Sequence, residues 1–383
     1  MSYLTGYDKR ITLNINSTLV NSALTHFPIY VNLSSSSGIT GADVTDVFDV
    51  VEANWQTIAF TESDGLTRLY AEVVSWDAVA KTAELWVSSS TWIISDSVDT
   101  TIFLYYGGTI RDSTYIGLVG SNAGEAVWDA NFKLVCHMND NPNTSAVMDS
   151  TSNDNDGTKK AANEPIESMG KIGKGQQSDG ADDIITVLDA DNLDMTTAIT
   201  IEFWIQPLTI TSERMMQKNQ GYGIESLGAH CILTKDGVTW LKQINSVFTQ
   251  NIYSHIVWTR TDDTTFTGYH NGVSKALTSY SNVTWAVNAN NLILCGGSAN
   301  SYHGVFGELR ISNIPRSSAW VGASYETQRD YLITYTPPEP PHSRTWTTTP
   351  QIFTKKEKIL IQHNKALKKF IEFLKTKRGL TNV

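Results

Sequence analysis

The sequence predicts an all-β chain: two tandem antiparallel β-sandwiches followed by a C-terminal amphipathic helix. Three observations predict it. Short segments of alternating apolar residues recur over most of the chain, with turn residues between them. Ser, Thr, Asn, Asp and Gly are abundant beside 11 Trp and 15 Tyr, a mixture that suits sheets joined by turns and disfavours a helical bundle. Near residue 336 the composition shifts to a Pro-rich stretch and then to a Lys-rich one with helical periodicity.

The first sandwich is read over residues 1–110. Ile11, Leu13 and Ile15 alternate with polar residues, which is the period-2 pattern of a half-buried strand. Further strands are expected at 27–33, 69–76, 83–88 and 101–106, the third strand following the turn pair Asp64 and Gly65. The weakly patterned stretch 108–128 marks the boundary. The second sandwich, 120–332, opens with a strand at 132–138 and a long polar, Gly-rich loop region over 149–180. Strands follow at 199–205, 255–260, 291–295 and 304–311. Asp236-Gly237 and Asn271-Gly272 are hairpin signals, because both dipeptides tolerate the positive φ of two-residue turns. Residues 317–328 read as a short helix with Ser318 as its cap.

Residues 333–351 are expected to form a stiff, extended linker, with Pro337, Pro338, Pro340, Pro341 and Pro350. The helix is read over 352–380. Its 355–378 stretch carries nine Lys or Arg against Glu357 and Glu372, a net +7, which leaves the rest of the chain near −17. Phe353, Leu360, Leu367 and Leu374 recur at sevens, and Phe370 widens the stripe. The opposite heptad positions are poor for a strict two-stranded seam, so docking into a partner groove fits better than an autonomous coiled coil. Packing on the chain's own acidic sandwiches and contact with a membrane or nucleic acid stay open.

Composition excludes several classes. A net charge of −10 argues against whole-chain nucleic-acid binding, and no specific nucleic acid is expected. Cys136, Cys231 and Cys295 stand far apart with no CxxC pair, so neither a thiolate zinc site nor a disulfide framework is expected. No apolar run is long enough for a transmembrane segment, and the N-terminal stretch MSYLTGYDKRITLNI has no signal-peptide core.

Several motifs carry a resemblance to known families. KRIT from Lys9, HFPIYVNL from His26, SDGLTRLYAEVVSWD from Ser63, AELWV from Ala83 and TIFLYYGG from Thr101 resemble a sandwich domain of unknown function that commonly precedes laminin-G-like domains. VWDANFKLVCHMND from Val127, DSTSNDNDGT from Asp149, GKIGKGQQSDGADDIITV from Gly170, ITIEFWIQP from Ile199 and GELRISNIPRSSAWVGASYE from Gly307 resemble the laminin-G-like, concanavalin A-like jelly roll. The second resemblance departs from the family at Ser178, where an aromatic or apolar residue is usual. It implies a jelly-roll fold and, in many members, one calcium at the sandwich rim.

Four chemistries are weighed. For calcium, Asp149, Asp156, Asp179 and Asp182 are the candidate ligands, hard oxygens crowded into two loops; the alternative is that they build Asx-turns. For glycans, Trp240, Tyr269, His270 and Tyr302 are candidate platforms and partners on or near loops; the alternative is ordinary core packing. For hydrolysis, Glu202 and Glu308 each stand alone rather than as a carboxylate pair, and neither G-x-S-x-G nor HExxH occurs, so no enzyme is expected. His137 and His255 sit in strand patterns and are expected to be packed. For assembly, Phe353, Leu360, Leu367, Phe370 and Leu374 are the docking stripe, toward other virion proteins or a second copy.

The expectation is a structural or adhesive virion protein, of the kind found as a bacteriophage capsid decoration, head fibre, tail fibre or spike, synthesised in the host cytoplasm and binding host surface glycans. A prokaryotic cell-surface adhesin and a glycan-cleaving enzyme on the same fold are the alternatives.

Overall fold

The computed structural model describes residues 3–160, 164–296 and 300–339. The expected assembly helix and the stripe Phe353, Leu360, Leu367, Phe370 and Leu374 lie outside the described residues. Among those described, three α-helices and three single-turn 3-10 helices interrupt a structure built almost wholly from antiparallel strands, the longest helix being Ser318–Gln328. No helix among them is long and apolar enough to cross a membrane.

One eight-stranded sheet builds the first sandwich. Its path runs Ile333–Glu339, Lys9–Ile15, Thr100–Tyr106, Ala59–Glu62, Arg68–Asp77, Thr82–Ser88, Ile29–Leu33, with Ile116–Leu118 added in parallel to Arg68–Asp77. The ten-residue strand Arg68–Asp77 pairs with Ala59–Glu62 at its start and with Thr82–Ser88 along the rest, with a bulge between Val73 and Ser75. Bulges bend strands and raise local twist, so this strand carries the path from one layer to the other around a shared core. The expected strands form here with ends within two residues of those read from the alternation.

The second sandwich has two facing sheets. The eight-stranded sheet runs Ile166–Met169, Lys174–Asp179, His303–Ser312, Ile199–Pro207, Ser254–Arg260, Phe266–His270, Val273–Lys275, with Phe132–Cys136 added to His303–Ser312. The nine-stranded sheet runs Ala146–Val147, Gly157–Lys159, Ile185–Val187, Leu292–Leu294, Arg214–Lys218, Tyr222–Leu227, His230–Thr234, Trp240–Ile244, Leu277–Ser279. Leu134, Ile201, Phe203, Ile205, Met216, Ile224, Leu233, Leu292 and Phe306 fill the space between them. Cys136, Cys231 and Cys295 are free thiols in that core.

Three expectations need correction. The region 149–180 is not one loop: it contains three strands, and the last, Lys174–Asp179, pairs with His303–Ser312. Its side chains are mostly polar because Gln176 and Ser178 point into a hydrogen-bonded interior rather than an apolar one. The helix 318–328 is capped by Ser317, whose hydroxyl accepts from the Trp320 amide, and not by Ser318. Residues 333–339, read as the start of the linker, form a strand that pairs with Lys9–Ile15. Proline cannot donate to a ladder, but this strand is at the sheet edge, where one side needs no partner.

The Asn271-Gly272 signal forms the expected two-residue turn, with φ of 53° and 75°. Asp236-Gly237 instead sits in a five-residue connection, where the Asp236 carboxylate accepts from the Val238 and Thr239 amides.

The two sandwiches belong to one compact unit, residues 1–339. The core of the first is continuous with Phe132, Val135, Trp204, Trp320 and Ala323 of the second. The helix Ser318–Gln328 is wedged between them. Trp320 packs edge-on to Phe27 at 4.8 Å, and the Thr327 hydroxyl accepts from the Tyr30 amide.

Candidate functional site

Charged side chains buried at the junction organise the centre of the molecule. Glu72 comes from the first sandwich; His137, Glu308 and Arg310 come from the second. His137 Nε2 is 3.1 Å from Glu72 Oε2 and Nδ1 is 2.9 Å from Glu308 Oε2. Arg310 donates twice to Glu308 Oε1, at 3.0 and 2.7 Å, and its guanidinium lies 4.1 Å over the Trp86 ring. Trp128 Nε1 donates to Glu72 at 2.9 Å. Burial opposes charge on His137, but the Glu308 and Glu72 carboxylates outweigh it and push its pKa up to about 10. Two carboxylates and two cations therefore close on themselves with balanced charge.

The expectation that Glu308 stands alone is thus corrected. Its counterpart Glu72 lies more than two hundred residues away in sequence, so no motif could show the pair. The imidazole fills the space between them, where a glycosidase would need room for substrate and water. A second network surrounds Glu202. Its Oε1 accepts from His255 Nε2 at 3.0 Å, from Ser324 Oγ at 2.5 Å and from Gln328 Nε2. Burial would raise the Glu202 pKa, but these donors and Arg310 hold it down at about 2. Ser324 donates to the carboxylate and not to His255, so the three do not form a nucleophile–base pair.

The four candidate calcium ligands do not converge. Asp149 is buried and its carboxylate accepts from the Val135, Thr151 and Asn155 amides and the Thr151 hydroxyl. Those four donors occupy the lone pairs a cation would need. Asp156 accepts from the Asp149 amide. Asp179 accepts from the Ala181 amide and donates its own amide to Asp183. Asp182 pairs with Lys160 at 3.1 Å. Among the described residues no three His, Cys, Asp or Glu could hold a metal ion together, so the set does not fit a shared calcium. These aspartates tie down loops, the other reading the sequence left open.

The four glycan candidates also separate. Tyr302 is fully buried in the second core. Tyr269 is buried against Val257 and Val321 beneath the helix. His270 faces Ser254 at 3.3 Å, and burial pulls its pKa down to about 4. Both of these tyrosines are corrected from platform to packing: Tyr269 falls on a strand face turned to the helix, and Tyr302, just before His303–Ser312, turns into the second core.

Trp240 is different. Cross-strand register puts Ile293, Gln217, Gly223, Thr234 and Trp240 in one row on the outer face of the nine-stranded sheet. Partners directly opposite share a face. Trp240 is half-buried and meets Tyr280 edge-on at 5.4 Å. Beside it, Arg214 donates to Glu225 at 3.0 Å and to the Gly237 carbonyl at 2.9 Å. Gly237 has φ of 73°, and a Cβ there would lie 2.7 Å from the Arg214 guanidinium, so glycine permits the approach. A hollow of about 450 Å³ on this face is lined by Arg214, Gln217, Asn219, Asp236, Asn290 and Asn291. A smaller one of about 210 Å³, sharing Arg214, reaches Trp240. Planar amides, carboxylates and a guanidinium beside an indole are groups that pair with sugar hydroxyls and stack on sugar C–H faces. In the sequence, Trp240 as an aromatic candidate and the neighbouring Asp236-Gly237 turn pointed to this place; Arg214 and the asparagines carried no signal.

Residues 179–322 match the family model Laminin_G_3, the concanavalin A-like lectin/glucanases superfamily. The concanavalin A-like match begins at the end of Lys174–Asp179 and ends inside the helix, so it spans most strands of both sheets of the second sandwich. Among solved structures, the binding domain of Paraclostridial Mosquitocidal Protein 1 is similar over 51% of this chain and 52% of its own, at 15% identity and a TM-score of 0.42. The receptor-binding domain of botulinum neurotoxin C/D mosaic serotype is similar over 52% of this chain and 51% of its own, at 14% identity and 0.41. The chain thus spans about half the length of these toxin domains. Domain 4 of AbnA, an extracellular arabinanase of Geobacillus stearothermophilus solved with arabinotriose, aligns over 51% of this chain and 98% of its own, at 19% identity and 0.41. No curated protein matches the chain significantly.

Proposed function

We propose that the chain is a non-enzymatic adhesion protein of a virion surface, a phage capsid decoration, head fibre or tail fibre or spike, that binds host glycans on the outer face of its nine-stranded sheet. The observation that carries the reading is the patch where Trp240 adjoins Arg214, Glu225 and Gly237, with Arg214 joining it to the hollow lined by Asp236 and Asn290. The lectin superfamily match over 179–322 supports it. So does the state of the buried carboxylates: Glu72, Glu202 and Glu308 are each paired with a histidine or arginine. Three free buried thiols and an acidic surface suit a protein made in a reducing compartment and then assembled. The first sandwich serves as the rigid support for the second. Attachment to the particle is assigned to the basic segment 352–380, on the charge and heptad pattern of its sequence.

The test is a glycan array probed with the full chain and with Trp240→Ala. The expected result is a defined set of ligands whose binding falls at least tenfold in the variant, the scale of losing one stacking aromatic at a hot spot. Equal binding by both proteins would remove the patch from the reading, and no binding by either would remove the lectin role. Mass spectrometry of purified virions checks the location.

A further inference from the structure

A cavity of about 440 Å³ lies where the two sandwiches meet, well away in sequence from the Trp240 patch. Its lining holds two half-buried carboxylates, Glu84 from the first sandwich and Asp330 from the segment after the helix. Glu84 accepts from the Tyr30 hydroxyl at 3.2 Å and from Ser75 Oγ at 3.0 Å. Asp330 Oδ2 accepts from Asn32 Nδ2 and the Gly38 amide, both at 2.9 Å. Its other oxygen, Oδ1, is buried without a hydrogen-bond partner.

Charge balance makes these two carboxylates unusual. The cations at the same rim are already engaged. Lys174 is 2.8 Å from Glu167, Arg329 is 2.6 Å from Glu326, and Lys171 lies over the Trp204 ring at 5.9 Å. Arg310 and His137 are taken by Glu308 and Glu72. Among the described residues neither Glu84 nor Asp330 has an ion-pair partner, although carboxylates removed from water are costly unless a cation meets them. Burial holds both above the ordinary carboxyl range. The Tyr30 ring, 5.3 Å from Trp86, offers an aromatic surface to the same space, and a cation is favoured there too. The rest of the lining is mixed: Val74, Met169 and Ile172 are apolar, while Asn32, Thr82 and Asn139 can meet hydroxyl groups.

We propose that this cavity binds a small ligand of the free amino-sugar class, its protonated primary amine received by Glu84 and Asp330, its hydroxyls by Thr82 and Asn139, and its C–H face by the apolar part of the lining. Acetylating the amine removes the charge and with it the main attraction. The site is separate from the outer-face patch and stands whether or not that patch binds glycans.

The test is titration calorimetry, with saturation-transfer NMR, on the full chain at neutral pH with glucosamine, N-acetylglucosamine and glucose. Glucosamine is expected to bind at least tenfold more tightly than either neutral sugar. Glu84→Gln and Asp330→Asn, which keep shape and most hydrogen bonds, each weaken it at least tenfold, while Trp240→Ala leaves it unchanged. Equal affinity for the three sugars, absence of glucosamine binding, or undiminished binding in folded carboxylate variants would each overturn the proposal. If a variant does not fold by tryptophan fluorescence, the ranking of the three sugars on the unaltered protein decides alone.

Discussion

Replacing His137 with leucine is expected to destabilise the 1–339 unit by about 3–5 kcal/mol, the range for removing one partner of a buried ionic group. The ring lies between Glu72 Oε2 at 3.1 Å and Glu308 Oε2 at 2.9 Å, and side-chain exposure is only 3%. Without it, two carboxylates face each other out of water, and Arg310 is paired with Glu308 and not with Glu72. Urea denaturation followed by tryptophan fluorescence reads the change, because Trp86 and Trp128 lie against the ring. Adding Glu72→Gln to His137→Leu should restore part of the loss, since the second change deletes one stranded charge. A single variant as stable as the unaltered protein would show that the triad contributes nothing to holding the sandwiches together.

The same group predicts a pH dependence. Despite the opposing effect of burial, the flanking carboxylates raise the folded pKa of His137 to about 10, against about 6.5 in an unfolded chain. A raised folded pKa means the folded state holds the proton more tightly. The stabilisation is therefore complete below about pH 6.5 and is lost as pH rises toward 10. Stability measured at pH 6, 8 and 10 should fall across that window in the unaltered protein, and the part due to this group should vanish in His137→Leu.

Cutting the chain after Leu332 is expected to unfold the first sandwich, whereas cutting after Glu339 leaves it intact. Ile333 and Tyr335 are 1% and 3% exposed in the first core. Burying side chains of this size contributes roughly 1.5–3 kcal/mol each. Their strand also supplies the partner of Lys9–Ile15, with Thr12 opposite Thr336 and Ile15 opposite Ile333. Removing it uncovers the outer side of a strand whose Ile11, Leu13 and Ile15 are all fully buried. Near-ultraviolet circular dichroism and limited proteolysis of the two truncations distinguish the outcomes. Resistance of the shorter chain in residues 3–118 would show that the first sandwich closes without its returning strand. The longer truncation is also the one to use in asking whether residues 352–380 tether the protein, because it leaves the described structure whole.

Much of the fold was legible because strand signals are local. The alternation at Ile11, Leu13 and Ile15, the run at 199–205 around Glu202, and the Asn271-Gly272 turn all depend on neighbours a few residues apart. The strand at 333–339 was not legible, since its prolines read as a linker and only an edge position admits them. The strands within 149–180 were missed for a related reason: glycine and polar residues hide a strand whose interior partners are hydrogen bonds. Among the site candidates, Trp240 remained at a surface hollow while Tyr269 and Tyr302 did not. An aromatic on a strand looks the same in sequence whichever face it points to, and a bulge upstream is enough to reverse it.

By itself the sequence determined that the chain is β-rich, that its second half has the pattern of a concanavalin A-like sandwich, and that charge is segregated toward one end. Those properties follow from short-range periodicity and composition, which are additive along the chain. Only the tertiary structure decided that Glu72 meets Glu308 across His137, that Glu84 and Asp330 share a cavity, and that Ile333–Glu339 returns to the first strand. Each of these joins residues from distant parts of the chain. Their energies come from removing charge and apolar surface from water together, which no stretch of sequence can do until the chain has closed around it.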